Sequence, residues 1–389
     1  MKKPSPVILF DANPLMVKRT GVSYYIAQLV SGLAATHPEA TFVGYYYNFL
    51  GRKPRPTSPA APNIHYRPIY HFPGPIINLL RRFRIEVPIE LLTFMKPDFV
   101  WYANFLSQPS LFRTPRAATI HDLTFVDLPQ YVARKNLSDL RRFIPSQLKQ
   151  LDFVVIVSEF GKQRLHDVFH VPLKDILVTP VAPPPPVTGN KTTDRKILAD
   201  MGITGKFFLT LSTVEPRKNV LNMLDAFLLL PEELQAKYTF VITGAIGWNC
   251  EAEVARLAEL KRAGKNIMHL GYVTDEQRSA LYRNATFYTS ASRYEGFGMT
   301  PPEAMMYSLV CALSDVQVFR EVAGKAALYF DQEDPESIAR VYERLLTDTK
   351  LREQLAKVSL AQAKTYDWEA IARSLYDRML AAIEKGHRS

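Results

Sequence analysis

Glu295 and Glu303 stand eight positions apart, joined through Gly296-Phe297-Gly298 and Pro301-Pro302. Two carboxylates on either side of a glycine turn can accept hydrogen bonds from the hydroxyls of a sugar or a ribose. The apolar run at 285–290 ahead of them reads as a short buried strand. Thr300 reads as a helix N-cap, Pro301 as the first helical residue, and Ala304-Met305-Met306 as the helix itself. Such a turn gathers unpaired N–H groups and the positive end of a helix dipole, which suits an anion. Thr300 and Glu303 also match a capping box, in which Glu303 only caps the backbone. Glu295 has no part in such a box.

Other residues could join this chemistry. Arg217 and Lys218 lie in the polar loop 212–219 after the strand 207–211, with Ser212 and Thr213 at its start. Fixed cations beside backbone donors suit a diphosphate. His121-Asp122 directly follows the apolar run 117–120, and the C-terminal end of a strand is where open α/β sheets bind ligands. A His-Asp pair serves equally as a structural hydrogen bond. Gly21 opens a helix after the first strand and loop, where it admits a ligand to the backbone or simply makes a turn. No Walker A loop occurs, since Gly202 to Lys206 has the wrong spacing, and no Gly-x-Gly-x-x-Gly follows a strand. No Asp-x-Asp pair is present, so no metal site is expected, and Cys250 and Cys311 offer neither a disulfide framework nor metal spacing.

The elements that must position these groups alternate throughout. Apolar runs at 7–10, 41–47, 99–102, 117–120, 153–157 and 176–179 read as strands of a first half. Runs at 207–211, 238–243, 267–270, 285–290, 310–313 and 327–330 read as those of a second. Helical spacing lies between them, as in Ile26, Leu29, Val30 and Leu33. This predicts an α/β protein of two parallel sheets wrapped by helices, facing each other across a cleft. Pro183-Pro184-Pro185-Pro186 is a stiff extended segment between the halves. The expected domains are 1–183 and 189–367, with the helix 368–386 returning to the first. The stretch 51–75, rich in proline and arginine, reads as a loop.

The chain has 389 residues, 47% hydrophobic and 22% charged, as globular proteins do. No run of eighteen apolar residues exists, the N-terminus is too short in apolar residues for a signal peptide, and a reducing, cytoplasmic setting is expected. Residues 1–183 hold 22 Lys and Arg against 12 Asp and Glu, so the whole net charge of +10 sits in that half. Such a bias predicts an anionic partner. The segment 76–85, apolar but carrying Arg81, Arg82 and Arg84, could lie on an anionic membrane surface or be an ordinary helix with snorkelling arginines. No nucleic-acid module is recognisable.

With its two α/β halves, the Gly21 loop, His121-Asp122, Lys218 and Glu-Gly-Phe-Gly-x-x-x-x-Glu-Ala at 295–304, the chain resembles the retaining GT-B glycosyltransferases of family 4. The resemblance implies two Rossmann-like domains, the second holding a nucleotide-sugar and the first an acceptor, with no cofactor and no metal. It implies that Glu303 binds the ribose and Glu295 the transferred sugar, with Gly296, Phe297 and Gly298 beside that sugar. The Met299 and Thr300 N–H groups and Lys218 meet the diphosphate, which Gly21 approaches, and His121 lies near the reacting carbon. Gly271, Tyr272 and Val273 hold the base. Thr213 stands where the family has an arginine, and Arg217 is expected to supply that charge. Ser308-Leu309-Val310 replaces the family's Gly-x-Pro.

The stretch 120–137, His121-Asp122 and Arg134-Lys135 included, looks like bacterial mannosyl- and rhamnosyltransferases of surface-polysaccharide assembly. This implies GDP-mannose as the leading donor, with UDP- and dTDP-sugars open. The acceptor expected is a glycan or polyprenyl-linked glycan, and the basic segment 76–85 suggests a place on the inner face of the cell membrane. The rival of a different class is a non-catalytic subunit that only binds a nucleotide-sugar.

Overall fold

The computed structural model describes residues 5–16, 20–56, 58–83 and 85–386. They form two compact units. Unit 1 is Met1–Val181 with Asp367–Ser389, and unit 2 is Ala182–Tyr366. In unit 1, β1 (Val7–Asp11), β2 (Thr41–Tyr47), β3 (Ile64–Ile69), β4 (Phe99–Tyr102), β5 (Arg116–Ile120), β6 (Phe153–Ile156) and β7 (Ile176–Val178) form one sheet in the order β3-β2-β1-β4-β5-β6-β7. Every pairing is parallel. In unit 2, β8 (Lys206–Leu211), β9 (Tyr238–Thr243), β10 (Ile267–His269), β11 (Tyr288–Ser290), β12 (Cys311–Ser314) and β13 (Ala327–Phe330) form a second parallel sheet. Its order is β10-β9-β8-β11-β12-β13. Helices on both faces bury these sheets twice over, so strands such as Phe153-Val154-Val155-Ile156 are apolar without alternation.

The order of strands reverses at β1/β4 in unit 1 and at β8/β11 in unit 2. Loops leaving the C-terminal ends of two such strands diverge and open a crevice, which is where ligands bind in doubly wound sheets.

Two readings of the sequence are corrected here. The stretch 51–75 is not all loop, because β3 lies within it. Pro68 is tolerated opposite Tyr46 because β3 is an edge strand, where a missing N–H breaks no ladder bond. The second concerns the basic segment. Helix α2 (Gly74–Arg82) follows α1 (Gly21–Thr36), and it turns Ile77 and Arg81 inward while Ile76 and Leu79 are exposed, as is Phe83 just beyond. The Arg81 guanidinium donates to Ser107 O (3.1 Å) and lies over the Phe143 ring. Arg82 pairs with Asp139 (3.3 Å). Arg84 lies outside the described residues. Arg81 therefore does not share an outward basic stripe with Arg82.

Helix α1 buries Ile26, Leu29, Val30 and Leu33, the face its spacing predicts. The last helix, Trp368–Gly386, packs against it within unit 1. Gly32 permits the approach, since a Cβ there would lie 3.0 Å from Ala372 Cβ. Unit 2 is centred on Phe208, stacked at 4.7 Å between Phe240 and Phe287.

Candidate active site

The reversal in unit 2 brings together the loop after β8 and the loop after β11. Pro216–Lys218 make one 3-10 turn, closed by Asn219 in the left-handed region, with the Asn219 amide bonded to Gln332 O. The turn is stitched to the second loop by Arg293, whose N–H donates to Arg217 O (2.9 Å) and whose guanidinium donates to Pro216 O (2.7 Å). Ser314 Oγ donates to Ser292 O (2.7 Å) and fixes that loop to β12.

This framework puts Glu295 between Lys218 and Arg217. Lys218 Nζ donates to Glu295 Oε1, and Arg217 Nη1 donates to Oε2 (3.0 Å) and to Tyr294 O (2.6 Å). The remaining side of the Arg217 guanidinium binds Glu215 (2.6 Å), which is buried. Burial alone would push the Glu295 carboxyl up. The charges of Lys218 and Arg217, with bonds from Lys218 and Ser292, outweigh it and hold the carboxyl at about 2. Arg217 is thus a brace for Glu295, its guanidinium shared with Tyr294 O and Glu215.

Beyond Glu295 the chain makes its glycine turn. Gly298 has φ +80°, and a Cβ on it would meet Phe319 Cε1 at 2.5 Å. Only glycine fits without displacing the phenyl ring. Thr300 is not the N-cap that the sequence suggests. It is the first residue of the helix Thr300–Met306, and Met299 precedes it without a side-chain cap. Thr300 Oγ1 accepts from the buried Tyr288 hydroxyl (2.6 Å). Pro301 and Pro302 have no N–H, so the donors of this turn are those of Gly298, Met299 and Thr300, none of which has a partner among the described residues.

Glu303 does not close a capping box either. Its N–H donates to Met299 O (3.3 Å), while its Oε2 accepts from the Tyr282 hydroxyl (3.3 Å) and faces Arg278 Nε (3.8 Å). By contrast, Thr274 and Gln277 do form the box their sequence promises. Glu303 is therefore placed as a braced carboxylate. Ser212 and the exposed Thr213 lie where β8 ends, against Gly244, whose Cβ would collide with Ser212 O. Gly271, Tyr272 and Val273 follow β10, and Gly271 O accepts from the Gly244 N–H (2.7 Å), which ties this outer loop to the first. Gly296 and Phe297 complete the turn.

His121 and Gly21 belong to unit 1. His121 follows β5, edge-on to Tyr25 and Phe105. Its Nε2 lies 2.9 Å from Ala103 O. A carbonyl only accepts, so Nε2 carries the proton and a neutral ring keeps Nδ1 as an acceptor. Burial lowers its pKa, against the Ala103 bond and the Asp122 charge. Asp122 is not bonded to His121; it accepts from the Thr124 N–H (2.9 Å). Gly21 is the first residue of α1, behind Thr20, which forms a capping box with Ser23.

Glu215, Arg278, Tyr282 and Tyr288 were not legible as site residues. The tyrosines look like core residues, and their hydroxyl partners lie 12 and 21 positions away. Glu215 had one signal, its place two residues before Arg217.

Two parallel α/β units with loops of this chemistry at the strand-order reversals define the GT-B fold. The solved structure of sucrose-phosphate synthase from Thermosynechococcus elongatus shares it, with TM-score 0.73 and 17% identity over 97% of this chain and all of that one. The family model for Glycosyltransferase Family 4 matches residues 19–181, and that for Glycosyl transferases group 1 matches residues 195–360. The chain belongs to these GT-B glycosyltransferases. O-antigen chain mannosyltransferase B of Escherichia coli is 28% identical over 381 residues, covering 93% of this chain and 96% of that protein. Serotype-specific mannosyltransferase WbdA of E. coli is 33% identical over 164 residues, covering 42% of this chain and 20% of that protein.

Proposed function

We propose that this glycosyltransferase moves mannose from GDP-mannose to a glycan or polyprenyl-linked glycan of a surface polysaccharide, with retention at the anomeric carbon and without a metal. The observation that carries the reading is the Glu295 carboxylate, held ionised by Lys218 and Arg217 beside the open N–H groups of Gly298, Met299 and Thr300. Lys218 keeps two further ammonium donors, and with those N–H groups it stabilises the leaving diphosphate. Glu303, braced by Tyr282 and Arg278, takes the ribose hydroxyls, and Gly271–Val273 face the base. His121 offers Nδ1 to a hydroxyl of the transferred sugar.

A carboxylate near 2 is too weak a base to deprotonate an acceptor hydroxyl, and two cations already engage it. This supports a mechanism in which the leaving phosphate oxygen takes that proton and the new bond forms on the same face. Among the described residues no three His, Cys, Asp or Glu side chains gather as metal ligands. The mannosyltransferase relatives support the sugar.

No described helix is long and apolar enough to cross a membrane. We place the chain on the inner face of the cell membrane, held by the exposed apolar residues Ile76, Leu79 and Phe83 and the positive charge of residues 1–183, rather than by Arg81.

The test is a thermal-shift screen with GDP-mannose, UDP-glucose and dTDP-rhamnose, followed by transfer assays with and without a chelator. GDP-mannose alone should raise the melting temperature, because a ligand bound only by the folded state stabilises it. A shift with UDP-glucose alone refutes the donor. Inverted product or loss of turnover in chelator refutes the mechanism.

A further inference from the structure

The His121 ring rests on a carbonyl and on the edges of other rings. Its Nε2 donates to Ala103 O (2.9 Å), and it lies edge-on to Tyr25 (5.3 Å) and Phe105 (5.6 Å). Tyr25 is anchored in the core, with its hydroxyl bonded to Thr179 Oγ1 (2.6 Å). Ala103 and Phe105 belong instead to the loop that leaves β4. Phe105 has φ +54°, in the left-handed region where a Cβ crowds the backbone carbonyl. Such a residue keeps its conformation only where its surroundings over-determine it. At Phe105 a hydrogen bond on each side of the Cα does so. Its N–H donates to Thr119 O (2.9 Å) on β5, and its carbonyl accepts from Gln147 Nε2.

Gln147 lies near the end of the helix Arg134–Leu148 and is 7% exposed. Its Oε1 accepts from the Ser107 N–H (2.8 Å) and from Ser107 Oγ (3.2 Å). A carbonyl only accepts and a backbone N–H only donates, so the orientation of this amide is forced. One buried amide thus grips the loop at both Phe105 and Ser107, 42 and 40 positions earlier in the chain. We propose that Gln147 is a positioning residue for His121. By holding the turn at 105–107 it keeps Ala103 O and the Phe105 ring against the imidazole, which fixes the proton on Nε2 and leaves Nδ1 as an acceptor. Without that hold the left-handed turn relaxes, the Ala103 bond loosens, and the proton distributes over both ring nitrogens. An imidazole protonated at Nδ1 cannot accept a hydrogen bond from a hydroxyl there. The consequence for transfer rests on the function proposed above; the state of the ring does not.

Nitrogen NMR of the ligand-free full chain, isotope-labelled at histidine, reads the tautomer directly, with His121→Gln assigning the resonance. Turnover with GDP-mannose is measured alongside. Gln147→Glu keeps the shape and both Ser107 bonds and loses only the donor to Phe105 O. Gln147→Met removes these bonds without placing a charge in the core, and either variant that folds decides the matter. At a pH where the ring is neutral, wild type should show His121 protonated at Nε2. Each variant should show a mixture of tautomers, with kcat lowered about tenfold or more. A variant that melts at a lower temperature yet keeps the wild-type tautomer would overturn the proposal and leave Gln147 as a structural tie. Mixed tautomers with unchanged kcat keep the hold of Gln147 on His121 and remove His121 from the proposed transfer instead.

Discussion

Glu295 titrates near 4.5 when unperturbed and at about 2 in the folded chain. A carboxylate with a depressed folded pKa stabilises the fold above its unfolded value. That contribution, about 3 kcal/mol for the shift, disappears as the pH falls from 4.5 through 2. Glu295→Gln should therefore flatten the acid limb of a pH–stability curve, and wild-type and variant curves should converge near pH 2. The same variant leaves Lys218 and Arg217 without their shared anion and should lower kcat about 100-fold or more. Equal turnover in the two proteins would remove Glu295 from the site. His121 carries a second pH signature. Its folded pKa lies below 6.5, so its neutral form stabilises unit 1 above that pH, and the stability is lost as the pH falls through the folded value. His121→Gln should abolish that component of the pH–stability profile.

At the scale of the element, the turn and helix at 296–306 owe their form to two contacts from elsewhere. Phe319 closes over Gly298, and Tyr288 holds Thr300. Gly298→Ala combines a left-handed φ with a clash, each costing about 1–2 kcal/mol. It should raise the KM for the donor and lower the stability of unit 2 by a corresponding amount. Tyr288→Phe removes one hydroxyl only and should cost about 1 kcal/mol of stability. Chemical denaturation with a donor titration separates these outcomes. The strands and their buried residues were legible from apolar runs, and α1 from its spacing, because each is a local pattern. β3 was hidden by Pro68, whose tolerance depends on edge position. The outward apolar face of α2 was hidden because Arg81 is buried by residues from distant segments, Ser107 and Phe143.

Across the whole molecule, the chain enters unit 2 at Ala182 and comes back to unit 1 at Asp367. The returning helix buries Ile371, Leu375, Tyr376, Met379 and Ile383 within unit 1. Burial of each such side chain stabilises by roughly 1.5–3 kcal/mol, and domains have only about 5–15 kcal/mol to lose. A chain ending at Tyr366 should lose the cooperative melting of unit 1 while unit 2, with its own aromatic core, still unfolds cooperatively in calorimetry. Two surviving transitions would show that the helix is dispensable.

The sequence by itself determined the alternation of strand and helix, the two α/β halves, the uneven charge, and the motif in which Glu295 and Glu303 stand. These follow from neighbours in the chain. Only the tertiary structure decided that Glu303 leans on Tyr282 rather than capping its helix, that Arg217 braces Glu295, and that Arg81 is buried against Ser107 and Phe143. Those facts depend on which strands lie side by side where the order reverses, and residues far apart in sequence meet there only after the sheets have formed.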